Sequence, residues 1–158
     1  EVGIRKASLH HYFPTKTDLG LALIDMYSAQ VDNALLHISN SNLPADEKLA
    51  AYVALYRGSL ESNRMCLCGM LASEALTLDA VMLPGINRFF ARNAEWLTEI
   101  LAIGKSQKLF AFPGSAAAQA RLLLSTLQGA LLIARATGDL EAFNQTSKLL
   151  LTGLLRKG

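Results

Sequence analysis

Between Ser115 and Thr137 the chain is almost wholly Ala, Leu, Ile and Gly, broken by Gln119, Arg121, Ser125, Thr126, Gln128 and Arg135. Its most apolar part, residues 122–134, is too short for a membrane span, which needs about 20 apolar residues. A helix apolar over most of its circumference must instead be buried from several sides. That demand constrains the fold more than any other feature, because it requires other helices around this one. The rest of the sequence offers them. Apolar residues recur at three- and four-residue spacing, and no segment shows the two-residue alternation of a strand.

Proline, glycine and polar clusters punctuate these stripes. Pro14 ends a short helix expected over 5–12, and Gly3 suits the turn before it. Thr15 and Asp18 form a capping-box pair for a helix over about 16–39, with Leu19, Leu23, Met26, Tyr27, Val31, Leu35 and Ile38 on one face. Ser39-Asn40-Ser41-Asn42 reads as a loop, with Pro44 near the next start. Further helices are expected over about 45–62, 65–76 and 79–106, the last with Pro84-Gly85 at its first turn or at a kink. Ser115 caps the apolar helix, Gly138-Asp139 turns the chain, and a final helix covers about 140–156. The expected fold is all-α, with short connections making neighbours antiparallel.

Half of the 158 residues are hydrophobic and 18% are charged, which excludes a disordered chain. Net charge is only +2, so composition alone does not point to nucleic acid. Its distribution says more. Residues 2–17 hold Arg5, Lys6 and Lys16 and no acid, with His10 and His11 among them. No basic stretch followed by an apolar run marks a signal peptide. A cytoplasmic location is expected, with Cys66 and Cys68 reduced. No Ser/His/Asp set, carboxylate pair or metal-ligand spacing stands out, and Gly3 alone makes no phosphate-cradling loop. Neither an enzyme nor a cofactor is expected.

The basic stretch has the pattern of a recognition helix. A second helix of a helix-turn-helix enters the major groove, reads base edges with its N-terminal residues and grips phosphate with its flanks. Arg5 and Lys6 stand at its start, and Ser8, His10 and His11 can exchange hydrogen bonds with bases. Leu9 and Phe13, four apart, turn inward. Tyr12, Thr15 and Lys16 are placed to hold phosphate, which positions the protein without selecting sequence. An exposed basic helix with no such role is the plain alternative.

Gly3-Ile4, then Ser8-Leu9-His10-His11-Tyr12-Phe13 and Pro14-Thr15-Lys16-Thr17-Asp18-Leu19, resembles the tetracycline-repressor (TetR) family of bacterial regulators. His10 departs from it, where the family often has Tyr. The resemblance implies the first helix and most of the second ahead of Glu1. It implies residues 1–18 as the C-terminal part of the DNA-binding domain and 19–158 as a ligand-binding and dimerisation bundle. It further implies a homodimer on a palindromic operator, released by a small-molecule effector, with no membrane partner. Tyr52, Tyr56, Met70, Phe89 and Trp96 are candidates to line an apolar effector pocket, or are ordinary core. Arg64-Met65-Cys66-Leu67-Cys68-Gly69 resembles a Gly-Cys-Leu-Leu-Gly segment of one branch of that family. Cys66 thereby joins the candidates, as a reactive thiol near a helix start or a small core residue. The last two helices, through Gly129, Ala130, Ala134, Leu149, Leu150, Leu154 and Leu155, are the expected dimer seam. A helical small-molecule or protein-interaction module without a DNA role is the other reading.

Overall fold

The computed structural model describes residues 11–156, and these form an all-α bundle. Six α-helices are described: α1 (Lys16–Asn40), α2 (Ala45–Glu61), α3 (Leu67–Ser73), α4 (Leu83–Ser106), α5 (Ala116–Thr137) and α6 (Leu140–Thr152), with a 3-10 turn at Ala80–Met82 before α4. His11 and Tyr12, ahead of α1, are also helical.

Local chemistry sets the ends. Thr15 caps α1 in a reciprocal capping box with Asp18, Ser115 caps α5, and Asp139 caps α6. Pro84 lies in the first turn of α4, where its missing N–H costs nothing, so the helix starts there instead of kinking. Gly138 ends α5 in the left-handed conformation, at φ 71°.

Helix α5 packs between α4 and α6 and also meets α2. It has the length and apolar composition of a membrane span. Yet Ala120, Leu123, Leu124, Leu127, Leu131 and Ala134 enter the core, joined by Leu97 and Leu101 of α4, Leu49 of α2 and Phe143 of α6. The expected seam is divided by this packing. Ala134 and Leu154 belong to the chain's own core, while Leu122, Leu132 and Ile133 of α5 and Leu149 of α6 are exposed.

Three other expectations need correction. Leu23 and Met26 of α1 are exposed, and Ile24 is buried in their place. The inward line is Ile24, Tyr27, Val31, Leu35 and Ile38, spaced by three and four, and Leu23 and Met26 fall on the adjoining face. Helix α3 is shorter than 65–76, since Cys66 is its cap and residues 74–78 turn through Ala75 N–H to Ala72 O and Leu78 N–H to Glu74 O. Helix α6 stops at Thr152, because residues 154–156 pair with 109–111: Ala111 N–H donates to Leu154 O at 2.8 Å and Arg156 N–H to Leu109 O at 3.0 Å.

A chamber beside the helix that follows the basic motif

Two of the expected sites can be described. At the start of α1, the Thr15 hydroxyl accepts from Asp18 N–H at 3.0 Å and donates to Asp18 Oδ2 at 2.7 Å. Asp18 Oδ2 also accepts from Thr15 N–H at 3.0 Å. The hydroxyl is thus engaged in holding the helix start. Lys16 and His11 are exposed, and Tyr12 is 75% exposed with its ring edge-on to His11. Phe13 is half-buried. Arg5, Lys6, Ser8 and His10 lie outside the described residues.

From that start α1 runs along α4 and the turn before it. Thr17 Oγ1 donates to Asp79 Oδ2 at 3.1 Å, Gly20 faces Met82, and Ile24 packs on Gly85. A Cβ at Gly85 would lie 3.0 Å from Ile24 Cγ2, so the glycine lets the helices close. Farther along, the Tyr27 ring lies against Phe89, and Arg92 pairs with Asp32.

Beyond Gly85 the two helices part around a cavity of about 480 Å3. Helix α1 supplies Tyr27, Gln30, Val31 and Ala34, helix α2 supplies Tyr52, Leu55, Tyr56 and Ser59, and helix α4 supplies Phe89 and Asn93. Arg64, Met65, Cys66 and Leu67 border it at the start of α3, and Leu131 of α5 lines its base. Its volume is that of a small-molecule site. Four of the six residues expected to hold an effector, Tyr52, Tyr56, Cys66 and Phe89, meet here. Met70 instead borders a second cleft of about 430 Å3 across Cys66, with Phe90, Gln128 and Leu132. Trp96 stands behind the wall: its ring stacks on Tyr52 at 5.3 Å and its Nε1 donates to Ser39 Oγ at 2.7 Å. The charged Arg88, Arg92 and Glu74 are exposed, and none of them lines the chamber.

One hydrogen-bonded chain crosses the chamber wall. Asn93, only 2% exposed, donates through Nδ2 to Phe89 O at 2.8 Å and accepts from the Tyr52 hydroxyl at 3.0 Å. The Tyr52 and Tyr56 hydroxyls lie 3.2 Å apart. Gln128 Nε2 donates to the Tyr56 oxygen and to Cys66 Sγ, each at 3.3 Å or less. Cys66 Sγ also accepts from Gly69 N–H at 3.3 Å, which caps α3. Burial raises the Tyr27, Tyr52 and Tyr56 hydroxyls above the usual phenol range, so all three stay neutral. Burial likewise pushes the Cys68 thiol up to about 12.

Sequence reasoning missed Tyr27, Asn93 and Gln128. The signal for the last two was present: each is a polar residue in an apolar register, Asn93 between Phe89 and Leu97, Gln128 beside Leu124 and Leu131. Replacing Asn93 with Leu should cost about 1–3 kcal/mol, because the buried Tyr52 hydroxyl loses its acceptor. In a thermal-denaturation cycle with Tyr52→Phe, the double variant should lose less than the sum of the two single losses. Strict additivity would mean that the bond contributes nothing.

Known structures share this fold over nearly the full chain. A transcriptional regulator of the TetR family from Agrobacterium tumefaciens superimposes with a TM-score of 0.93 at 31% identity, over 98% of this chain and 83% of the other. The chain belongs to the TetR family of transcriptional regulators. A TetR regulator from Legionella pneumophila follows at 29% identity and a TM-score of 0.85, over 97% of this chain and 81% of the other. E. coli NemR, in its reduced form, shares the fold at 20% identity and a TM-score of 0.82, over 98% and 83%. No family model and no curated protein matches the chain. As a member of the TetR family it is a DNA-binding regulator, and the resemblance read from residues 3–19 agrees with that membership. The described residues hold no group of three or more His, Cys, Asp or Glu arranged for a metal.

Proposed function

We propose that this TetR-family regulator is a cytoplasmic homodimeric repressor, released from a palindromic operator when a small molecule fills the chamber. The observation that carries the reading is that one helix serves both ends. Helix α1 begins at the last residues of the basic motif and, further along, forms a wall of the chamber through Tyr27, Gln30, Val31 and Ala34. A ligand that prefers one spacing of α1 and α4 biases the position of the motif, with a coupling of about 1–3 kcal/mol. The exposed Leu122, Leu132, Ile133 and Leu149 support a second copy packing on α5 and α6, and two-fold symmetry then matches a palindrome. Residues 1–18 are the DNA-reading part, and 19–158 the ligand and dimer part.

Within the first part, Arg5, Lys6, Ser8, His10 and His11 read bases, and Tyr12 and Lys16 contact phosphate, while Thr15, whose hydroxyl and N–H both donate to Asp18, fixes the start of α1 rather than holding phosphate as expected. Selection from a random duplex pool with the intact protein tests these roles. Arg5→Ala should change the preferred sequence, whereas Lys16→Ala should weaken binding to all duplexes about equally and lower the salt slope by about one. An unchanged preference in Arg5→Ala would remove that residue from base readout.

A further inference from the structure

The chamber is polar in an asymmetric way. The orientation of Asn93 is fixed, because Nδ2 donates to Phe89 O. Its Oδ1 therefore faces Tyr52, whose hydroxyl hydrogen is spent on it at 3.0 Å. At the 3.2 Å contact between the two phenols, Tyr56 must then be the donor. The Tyr56 oxygen in turn accepts from Gln128 Nε2 at 3.2 Å. Both phenol hydrogens are used up, and each oxygen has one lone pair left. Toward a ligand, this inner wall can only accept.

The entrance is of the opposite kind. Among the described residues, Arg64 is the only charged one that lines the chamber, and no carboxylate does. It is exposed and makes no ion pair among the described residues. The backbone holds it there deliberately. Asn63 takes the left-handed conformation at φ 59°, its side chain is held by Arg135 of α5, and Arg64 N–H donates to Ser59 O at 2.8 Å. The chamber is also lined by the Tyr27 and Phe89 rings, with Val31 and Leu131.

We infer that the chamber takes a hydroxyaryl carboxylate, its anionic end at Arg64, its ring beside Tyr27 and Phe89, and its hydroxyl donating to the Tyr52–Tyr56 pair. This rests on the chamber being the effector site, and it adds the chemical class. A carboxylate at the inner wall would meet only lone pairs, and a cation at the entrance would meet Arg64. Each end of the molecule thus has one orientation that satisfies it. Arg64 recognises the acid by charge-assisted hydrogen bonds.

Calorimetry on the full chain distinguishes the class from the site. The probes are para-hydroxyphenylpropionate, its methyl ester, phenylpropionate without the hydroxyl, and tyramine as the cation. The hydroxy acid should bind at least about tenfold more tightly than its ester, as a charge-assisted bond to Arg64 requires. Arg64→Gln should bring the two to parity, and Arg64→Lys should restore part of the difference. Arg64 is exposed, so neither variant endangers folding. Phenylpropionate should bind about fivefold more weakly than the hydroxy acid, the worth of one neutral hydrogen bond. Tyr56→Phe, shown by thermal denaturation to be fully folded at the assay temperature, should reduce that preference. If the ester or tyramine binds as well as the acid, or Arg64→Gln leaves the ratio unchanged, the class is wrong while the chamber stands. If none of the four binds, the class falls, and the effector reading loses its support from this ligand set.

Discussion

Gly104→Ala should lower the melting temperature by roughly 10 °C, the equivalent of about 3 kcal/mol in a chain of this size. Gly104 is buried in the last turn of α4, and the Phe110 ring lies directly on it. A Cβ there would stand 2.2 Å from both Cδ2 and Cε2 of that ring. No rotation of a flexible tip relieves such a contact. The whole ring would have to leave, and Phe110 is 3% exposed and part of the core. The backbone adds to the constraint, since Leu109 and Phe110 N–H both donate to Gly104 O, at 2.9 and 3.2 Å. Phe110 also lies beside the strand-like pairing of 109–111 with 154–156 that ends α6. Its displacement therefore disturbs two helix ends. Gly58→Ala is the matched control. Nothing lies within 4 Å of a Cβ at this helical position, so alanine should stabilise by about 0.5–1 kcal/mol. Thermal denaturation of the two variants should give shifts of opposite sign. Equal, small shifts would mean that the Phe110 contact does not constrain the fold.

Local signals made most of the fold legible. Thr15, Pro44, Pro84, Ser115 and Gly138 mark helix ends by chemistry that acts within a few residues, and the structure has its helices there. The misplaced features depend on distant partners. Ile24, inward instead of Leu23 or Met26, packs on Gly85, some sixty residues on, whose missing Cβ lets the helices close there. Helix α6 stops early because residues 109–111 claim its last backbone groups, a pairing that no stripe announces. The chamber was half legible. Aromatic residues on α2 and α4 pointed to it, but whether Trp96 faces the cavity or backs Tyr52 depends on how two helices cross. Asn93 and Gln128 show how the rest can be read: a polar residue in an apolar register needs a partner, and here those partners form the chamber wall.

The second large effect concerns the link between chamber and DNA. Ala34 lies on α1 and faces the cavity, so Ala34→Trp fills part of its 480 Å3 from within the helix that leads to the motif. An indole held between α1 and α4 imitates a bound effector without the need to know it. The substituted side chain enters empty space, so the melting temperature should change by only a few degrees. Operator binding should change far more, because any preference of the filled chamber for one α1 position is passed to residues 11–16. A coupling of the usual size corresponds to a loss of about 5–150-fold.

The measurement is operator affinity of the intact protein, original against Ala34→Trp, on the duplex obtained by selection and at one fixed salt concentration. At least about a fivefold weakening, with the fold intact, is the predicted result. An unchanged affinity in a variant whose chamber is demonstrably filled would contradict the account, since α1 would then carry nothing from one end to the other.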